Sequence, residues 1–295
     1  MGISIQKPKR ISVIFNPTAG GRRHQRLQAV IALLQGSGSE VMLQPTGRPG
    51  DAESFARDAK DVDVIVAAGG DGTINEVANG LLGRDIPLAL LPMGTANVIA
   101  AEIGLGVAPQ QIAETILWGA IQKISLGRID GRVFIAMVGV GYDARVVAGV
   151  HLGLKRWLGK GAYGVEAIRQ LIQGDDHLLN VTVDGVDYHA ASVVVANGRY
   201  YAGRYILDAA ARITDPLLHV CLFERSGRWN LVRYSAALFS DRIASLADFR
   251  IVTGSRVTIT GAVGEPVQGD GDVLTQLPVE IESIPGAIEL VMPIY

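Results

Sequence analysis

The chain has 295 residues, of which 48% are hydrophobic and 36 are glycine, and its formal net charge is −2. That length can bury two cores, and the near-neutral charge gives no electrostatic case for a nucleic-acid partner. The lone cysteine, Cys221, excludes an internal disulfide and a cysteine metal pair; within the apolar run 217–223 it reads as a buried thiol in a reducing compartment.

The first ten residues lack an apolar segment, so no signal peptide is expected. Gly2 does not start a myristoylation site, because Gln6 stands where Ser or Thr is needed. The most apolar stretch, 86–101, is broken by Pro87, Pro92, Gly94 and Asn97, so no bilayer span is expected. These features predict a cytoplasmic protein that meets any membrane only at its surface.

Strand-like and helix-like segments then alternate. Residues 10–16 predict a strand, 22–35 an amphipathic helix, 41–43 a short strand and 51–60 a helix. The apolar run 62–68 predicts a buried strand, followed by a helix at 73–82, a strand at 88–91 and helices at 95–103 and 108–120. Such alternation predicts a Rossmann-like α/β domain with a parallel sheet over residues 1–120. Beyond residue 121 the pattern changes. Strands are expected at 123–130, 133–140, 178–184, 188–196, 217–223 and 257–260, with Asp130-Gly131 and Asp184-Gly185 as hairpin turns. Helices are expected at 155–172 and 229–245. This second half, 121–283, reads as an antiparallel β-sandwich, with 284–295 returning to the first domain.

The strongest chemical signal is Gly69-Gly70-Asp71-Gly72-Thr73-Ile74-Asn75-Glu76, where a buried strand runs through three glycines into a helix. Glycines let a ligand approach the backbone, and the free amides of a helix start suit phosphate. Asp71 puts a negative charge where phosphates would sit, which a bridging divalent cation would reconcile. Thr73 and Glu76 also fit a capping box. A second strand–helix junction, Pro92-Met93-Gly94-Thr95-Ala96-Asn97, offers Gly94 for close approach and Thr95 as a phosphate donor or helix cap. A third, Asn16-Pro17-Thr18-Ala19-Gly20-Gly21, has no Gly-Lys-Ser/Thr and is not a Walker loop. Three such turns at the ends of parallel strands can share one crevice.

In their order, these motifs resemble the diacylglycerol kinase catalytic-domain family, the bacterial lipid kinases related to sphingosine kinases, over nearly the whole chain. Gly-Gly-Asp-Gly-Thr alone also occurs in NAD kinases and phosphofructokinases; the Pro-x-Gly-Thr-x-Asn motif favours lipid kinases. The resemblance implies ATP with Mg²⁺ and a lipid hydroxyl as acceptor, reached by transient contact with the membrane surface. It implies ATP contacts at Asn16, Thr46, Gly69, Gly70, Asp71, Gly72, Thr73, Ile74, Asn75, Gly94 and Thr95. The segment Gly139-Val140-Gly141-Tyr142-Asp143-Ala144 resembles the start of the family's lipid domain. Where the family carries Asp-Gly-Glu, this chain has Asp270-Gly271-Asp272. The resemblance makes Asp272 the general base, with Asp270 as rival or helper; read alone, Asp-Gly pairs make an acidic hairpin turn. The family's metal site maps to Asp215 with main-chain oxygens of Arg212 and Leu217, although Pro216 replaces its glycine.

In the helix expected at 155–172, Leu154, Trp157, Leu158, Val165, Ile168 and Ile172 form one stripe. Lys155, Arg156, Lys160 and Arg169 lie off it. Packing on the sandwich and contact with anionic lipid both fit this pattern. The five histidines, His24, His151, His177, His189 and His219, show no metal-ligand spacing. An NAD-kinase-like enzyme acting on a soluble acceptor and a nucleotide-binding regulator without turnover are the alternative readings. Oligomeric state is not legible.

Overall fold

The structure, a computed structural model, describes residues 3–4, 7–17, 21–142, 144–145 and 178–294. Gly20, Asp143, His151, His177 and the helix expected at 155–172 lie outside the described residues. The chain divides into two compact units. The first comprises Met1–Leu126, Ala202–Arg204 and Pro285–Tyr295; the second comprises Gly127–Tyr201 and Tyr205–Ile284.

In the first unit the elements are β1 (Ile3–Ser4), β2 (Arg10–Phe15), α1 (Arg22–Gly36), β3 (Glu40–Pro45), α2 (Asp51–Asp58), β4 (Val64–Gly69), α3 (Asp71–Leu81), β5 (Leu88–Pro92), α4 (Val98–Glu102) and α5 (Pro109–Trp118). The order β3-β2-β4-β5 is parallel throughout, and Leu290 of the returning C-terminal segment pairs in parallel with Leu88. All six residues of β4 are buried, as expected of a central strand covered on both faces. On α3 the buried side chains Ile74, Val77, Ala78 and Leu81 recur at the helical period. The strand after β2 joins on one side of it and the next on the other, so the topology reverses between β2 and β4. Both strands end there side by side, Phe15 paired with Ala68. In open α/β sheets this is where ligands bind.

β6 (Ala120–Ile129) runs through the last residues of the first unit, and its end, from Gly127, pairs in the second unit with β7 (Arg132–Phe134). There follow β8 (Met137–Val140), β9 (Leu179–Val183), β10 (Val186–Ala190), β11 (Ser192–Ala196), β12 (Tyr200–Tyr201), β13 (Tyr205–Ile206), β14 (Leu218–Phe223), α6 (Arg228–Phe239), a 3-10 turn (Ile243–Ser245), β15 (Phe249–Gly254), β16 (Arg256–Thr260), β17 (Pro266–Gly269), β18 (Asp272–Gln276) and β19 (Val279–Met292). One antiparallel sheet runs β15-β14-β11-β8-β17-β18; in a second, β10, β9, β16 and β19 are neighbours. Val138, Val140, Val193, Val195, Leu218, Val220 and Val267 of the first meet Val181, Val183, Val257, Ile259, Val279 and Ile281 of the second in one core. Nearly every pair is two residues apart, the strand period.

Two expected strands prove to be two strands each. The segment 133–140 leaves one sheet after Phe134 and enters the other at Met137; the segment 188–196 does the same between Ala190 and Ser192. Continuous hydrophobicity conceals such corners, because both halves are buried. At the first corner, Asn197 donates its main-chain amide to Ala136 O at 2.8 Å and its side-chain amide to Ile135 O at 3.1 Å. Cys221 is buried, and burial pushes its thiol pKa well above the usual value.

Candidate functional site

The turns after β2, β3, β4 and β5 all lie at the C-terminal edge of the parallel sheet. Asn16 N donates to Ala68 O at 3.3 Å, Thr46 N to Phe15 O at 2.9 Å, and Met93 N to Gly69 O at 2.8 Å. The motif residues of this unit therefore share one edge. The turns after β4 and β5 come closest: a Cβ on Gly94 would lie 2.6 Å from Gly70 Cα and 2.7 Å from Asn97 Oδ1. A Cβ on Gly69 would lie 2.4 Å from Thr73 Oγ1. Sterics alone hold these positions as glycine, since real Cβ atoms do not approach so closely.

The helix expected from residue 95 begins only at Val98. Asn97 adopts φ +50 and folds back on Gly94, its Oδ1 accepting from Gly94 N at 2.8 Å and its Nδ2 donating to Gly94 O at 3.1 Å. Thr95 does not cap the helix; its Oγ1 accepts from Arg23 Nη2 at 3.3 Å. The expected capping box on α3 is also absent. That helix has no side-chain cap, and Glu76 Oε2 instead accepts from Ala52 N of α2 at 3.2 Å. Asn75 holds Asn79 Nδ2 through its own carbonyl at 2.9 Å and its side-chain Oδ1 at 3.0 Å.

Asp71 opens α3 with its carboxylate turned toward the amides of Asn97, Val98 and Ile99. Burial raises its pKa, against the opposing pull of those amides. Its Oδ1 is buried without a hydrogen-bond partner. A native protein rarely leaves such an atom unsatisfied without a purpose; a carboxylate oxygen with a free lone pair at a helix start fits a divalent cation.

Two arginines on α1 carry no motif signature, and sequence reading missed both. Arg23 reaches Thr95, and Arg26 Nη1 donates to Pro92 O at 2.7 Å. Burial lowers the Arg26 pKa, with Arg23 adding repulsion. A pair of partly buried cations at a glycine-lined turn favours an anion, which would relieve that repulsion. The only prior hint was the basic run Arg22-Arg23 after the first turn. The neighbouring loop at Thr46 is closed by Asp51, whose Oδ2 accepts from Gly47 N at 2.8 Å and Arg48 N at 3.0 Å. These bonds, led by that from Gly47, lower the Asp51 pKa.

In the second unit, Asp270 and Gly271 form the two-residue turn between β17 and β18, both with positive φ. The Asp270 carboxylate is fully engaged at the β7–β8 corner. Its Oδ2 accepts from Ile135 N at 2.8 Å, and its Oδ1 from Ala136 N and Met137 N, each at 2.9 Å. Asp272, on the edge strand β18, is exposed. Asp215 sits in a self-closed turn: Asp215 N donates to Arg212 O and Asp215 Oδ2 accepts from Arg212 N, each at 2.8 Å. His219, to which the sequence assigned nothing, is buried with Nδ1 2.6 Å from Asp208 and Nε2 3.3 Å from Asp215. Among the described residues no three His, Cys, Asp or Glu side chains gather as a metal site.

Residues 10–129 match the family model described as the diacylglycerol kinase catalytic domain, and 136–292 match the YegS C-terminal NAD kinase beta sandwich-like domain. The chain belongs to the diacylglycerol kinase catalytic-domain family. A protein named "Probable lipid kinase YegS" from Salmonella newport is 30% identical over 288 residues, covering 92% of each chain. "Diacylglycerol kinase" from Bacillus subtilis is 28% identical over 298 residues and 97% of each chain. That from Mycobacterium tuberculosis is 27% identical, covering 96% of this chain and 95% of its own. A solved structure titled as a diacylglycerol kinase from Bacillus anthracis aligns at a TM-score of 0.77 with 24% identity, covering 98% of each chain, which shows the shared fold. The relatives' names support lipid kinase as the general class. Among the described residues no helix is long and apolar enough to cross a membrane.

Proposed function

We propose that the protein transfers the γ-phosphate of ATP to a lipid hydroxyl, such as that of diacylglycerol, a sphingoid base or a related lipid. The observation carrying this reading is the unpartnered, buried Oδ1 of Asp71 beside the abutting glycine turns at Gly70 and Gly94. The amides at the start of α3 would bind phosphate oxygens, with Thr95 and Arg23 adding a hydroxyl and a charge. Bound Mg²⁺ would neutralise charge developing on the phosphates, and Asp71 is the side chain that fits it. Asp272 is the residue we assign as general base. Its contacts leave Asp270 a positioning role at the Ile135–Met137 corner. Asp215 with the Arg212 and Leu217 carbonyls is the set we assign to any second cation. A cytoplasmic location with peripheral access to the lipid substrate is part of the same reading.

The decisive experiment incubates total lipid extract, and separately NAD, with Mg-ATP and identifies products by mass spectrometry. A new phosphorylated lipid is expected. Phosphorylation of NAD alone would establish the NAD-kinase-like alternative; no product from either would favour a nucleotide-binding regulator. Gly94→Ala forces the two turns apart, because the clashing atom on Gly70 is backbone. It should weaken binding of a non-hydrolysable ATP analogue, measured by calorimetry, by about tenfold or more.

A further inference from the structure

Helix α6 carries apolar residues on both its buried and its exposed side. Tyr234, Ala237 and Leu238 are buried. On the opposite side, Trp229 is 79% exposed, Val232 45% and Phe239 63%. With exposed Ala236 these residues form one stripe at i, i+3, i+7 and i+10. Arg228 borders the stripe on one side and Arg233 on the other, by the 3.6-residue turn, and the helix has no acidic residue. Residues 224–250 contain five arginines and three acids, a surplus of two positive charges on a chain whose net charge is −2. Some of this charge is compensated: Arg233 and Arg225 both reach Asp248, and Arg250 pairs with Glu224. Among the described residues no ion pair joins Arg228.

We propose that this face of α6 docks onto an anionic bilayer surface. Trp229, Val232 and Phe239 would enter the headgroup boundary, and the Arg228 stem would lie along the surface with its charge among lipid phosphates. A second copy of the chain is disfavoured as occupant, because the same positive surplus would face itself. The inference deepens the lipid-acceptor reading by naming the surface through which substrate is met, but its measurement does not depend on catalysis.

The test is co-sedimentation of the full chain, without nucleotide, with phosphatidylglycerol and with phosphatidylcholine vesicles. The wild type should partition preferentially onto phosphatidylglycerol. Trp229→Ser with Val232→Ser should weaken that partition at least tenfold without changing Tm; Phe239 is left intact because it packs against Tyr205 with centroids 4.8 Å apart. Arg228→Glu should weaken binding to phosphatidylglycerol only. Phosphorylation of a short-chain lipid dispersed as monomers should stay within twofold of wild type in all variants, so failure of docking and failure of the kinase reading are read separately. Wild-type partition by the serine variant would overturn the proposal. So would a change from dimer to monomer in that variant without loss of vesicle binding.

Discussion

Replacing Asp71 by Asn should lower lipid phosphorylation about a thousandfold while leaving the unliganded protein at least as stable as the wild type. Removing one preorganised electrostatic contact from a transfer site costs about a hundred- to a thousandfold, and here the loss includes the charge that fits the cation. The stability half follows from burial. The folded protein holds the Asp71 pKa above its ordinary value, chiefly by desolvation. The folded state therefore binds the proton more tightly than the unfolded one. Whatever stability the neutral acid provides is present in acid and is lost as pH rises through the raised native value. Asparagine is neutral at every pH, and its carbonyl oxygen can still accept from the amides of Asn97 to Ile99. The variant's Tm advantage should thus be greatest near neutral pH and close in acid. Activity within tenfold of wild type, or a marked drop in Tm at pH 7, would sink the assignment of Asp71 as a functional rather than structural carboxylate.

The same residue shows why the first unit was legible. A six-residue buried strand, three glycines and a helix start are local features, and local features survive the passage from sequence to fold. The glycines carried the most information, because a Cβ at Gly69 or Gly94 meets atoms 2.4 to 2.7 Å away. What sequence could not show was distance between turns. Arg23 and Arg26 lie about seventy residues before Thr95 and Pro92, and only the parallel pairing of β2, β4 and β5 brings α1 to that edge. Glu76 misled for the same reason: its spacing from Thr73 suits a capping box, but the amide of Ala52 on the neighbouring helix competes for it and wins. In the second unit, periodicity found most strands and missed the corners. Residues 133–140 are apolar on both sides of the crossing, so nothing local marks the change of sheet. Strands β17 and β18 were missed because they are short, and β18, at the sheet edge, is largely exposed.

Those corners separate the two carboxylates that the sequence left open. Asp270 accepts three main-chain amides at the β7–β8 crossing, so Asp270→Ala leaves Ile135, Ala136 and Met137 without their acceptor. Each buried amide left unpaired costs about 1–3 kcal/mol; even with water replacing part of the loss, about 3 kcal/mol in total is expected. In a unit of this size that lowers Tm by roughly 6–12 °C. Asp272 is exposed, and Asp272→Asn should leave Tm within about a degree. Its effect should fall on turnover: losing a general base costs about a hundred- to ten-thousandfold in kcat, with KM for ATP nearly unchanged because no nucleotide contact is assigned to this residue. The two carboxylates, two residues apart, thus predict opposite signatures. A Tm loss with retained turnover for Asp272→Asn, matched by lost turnover at unchanged Tm for Asp270→Ala, would reverse the assignment, making the hairpin's first residue the acceptor of the lipid proton and its third a structural clamp.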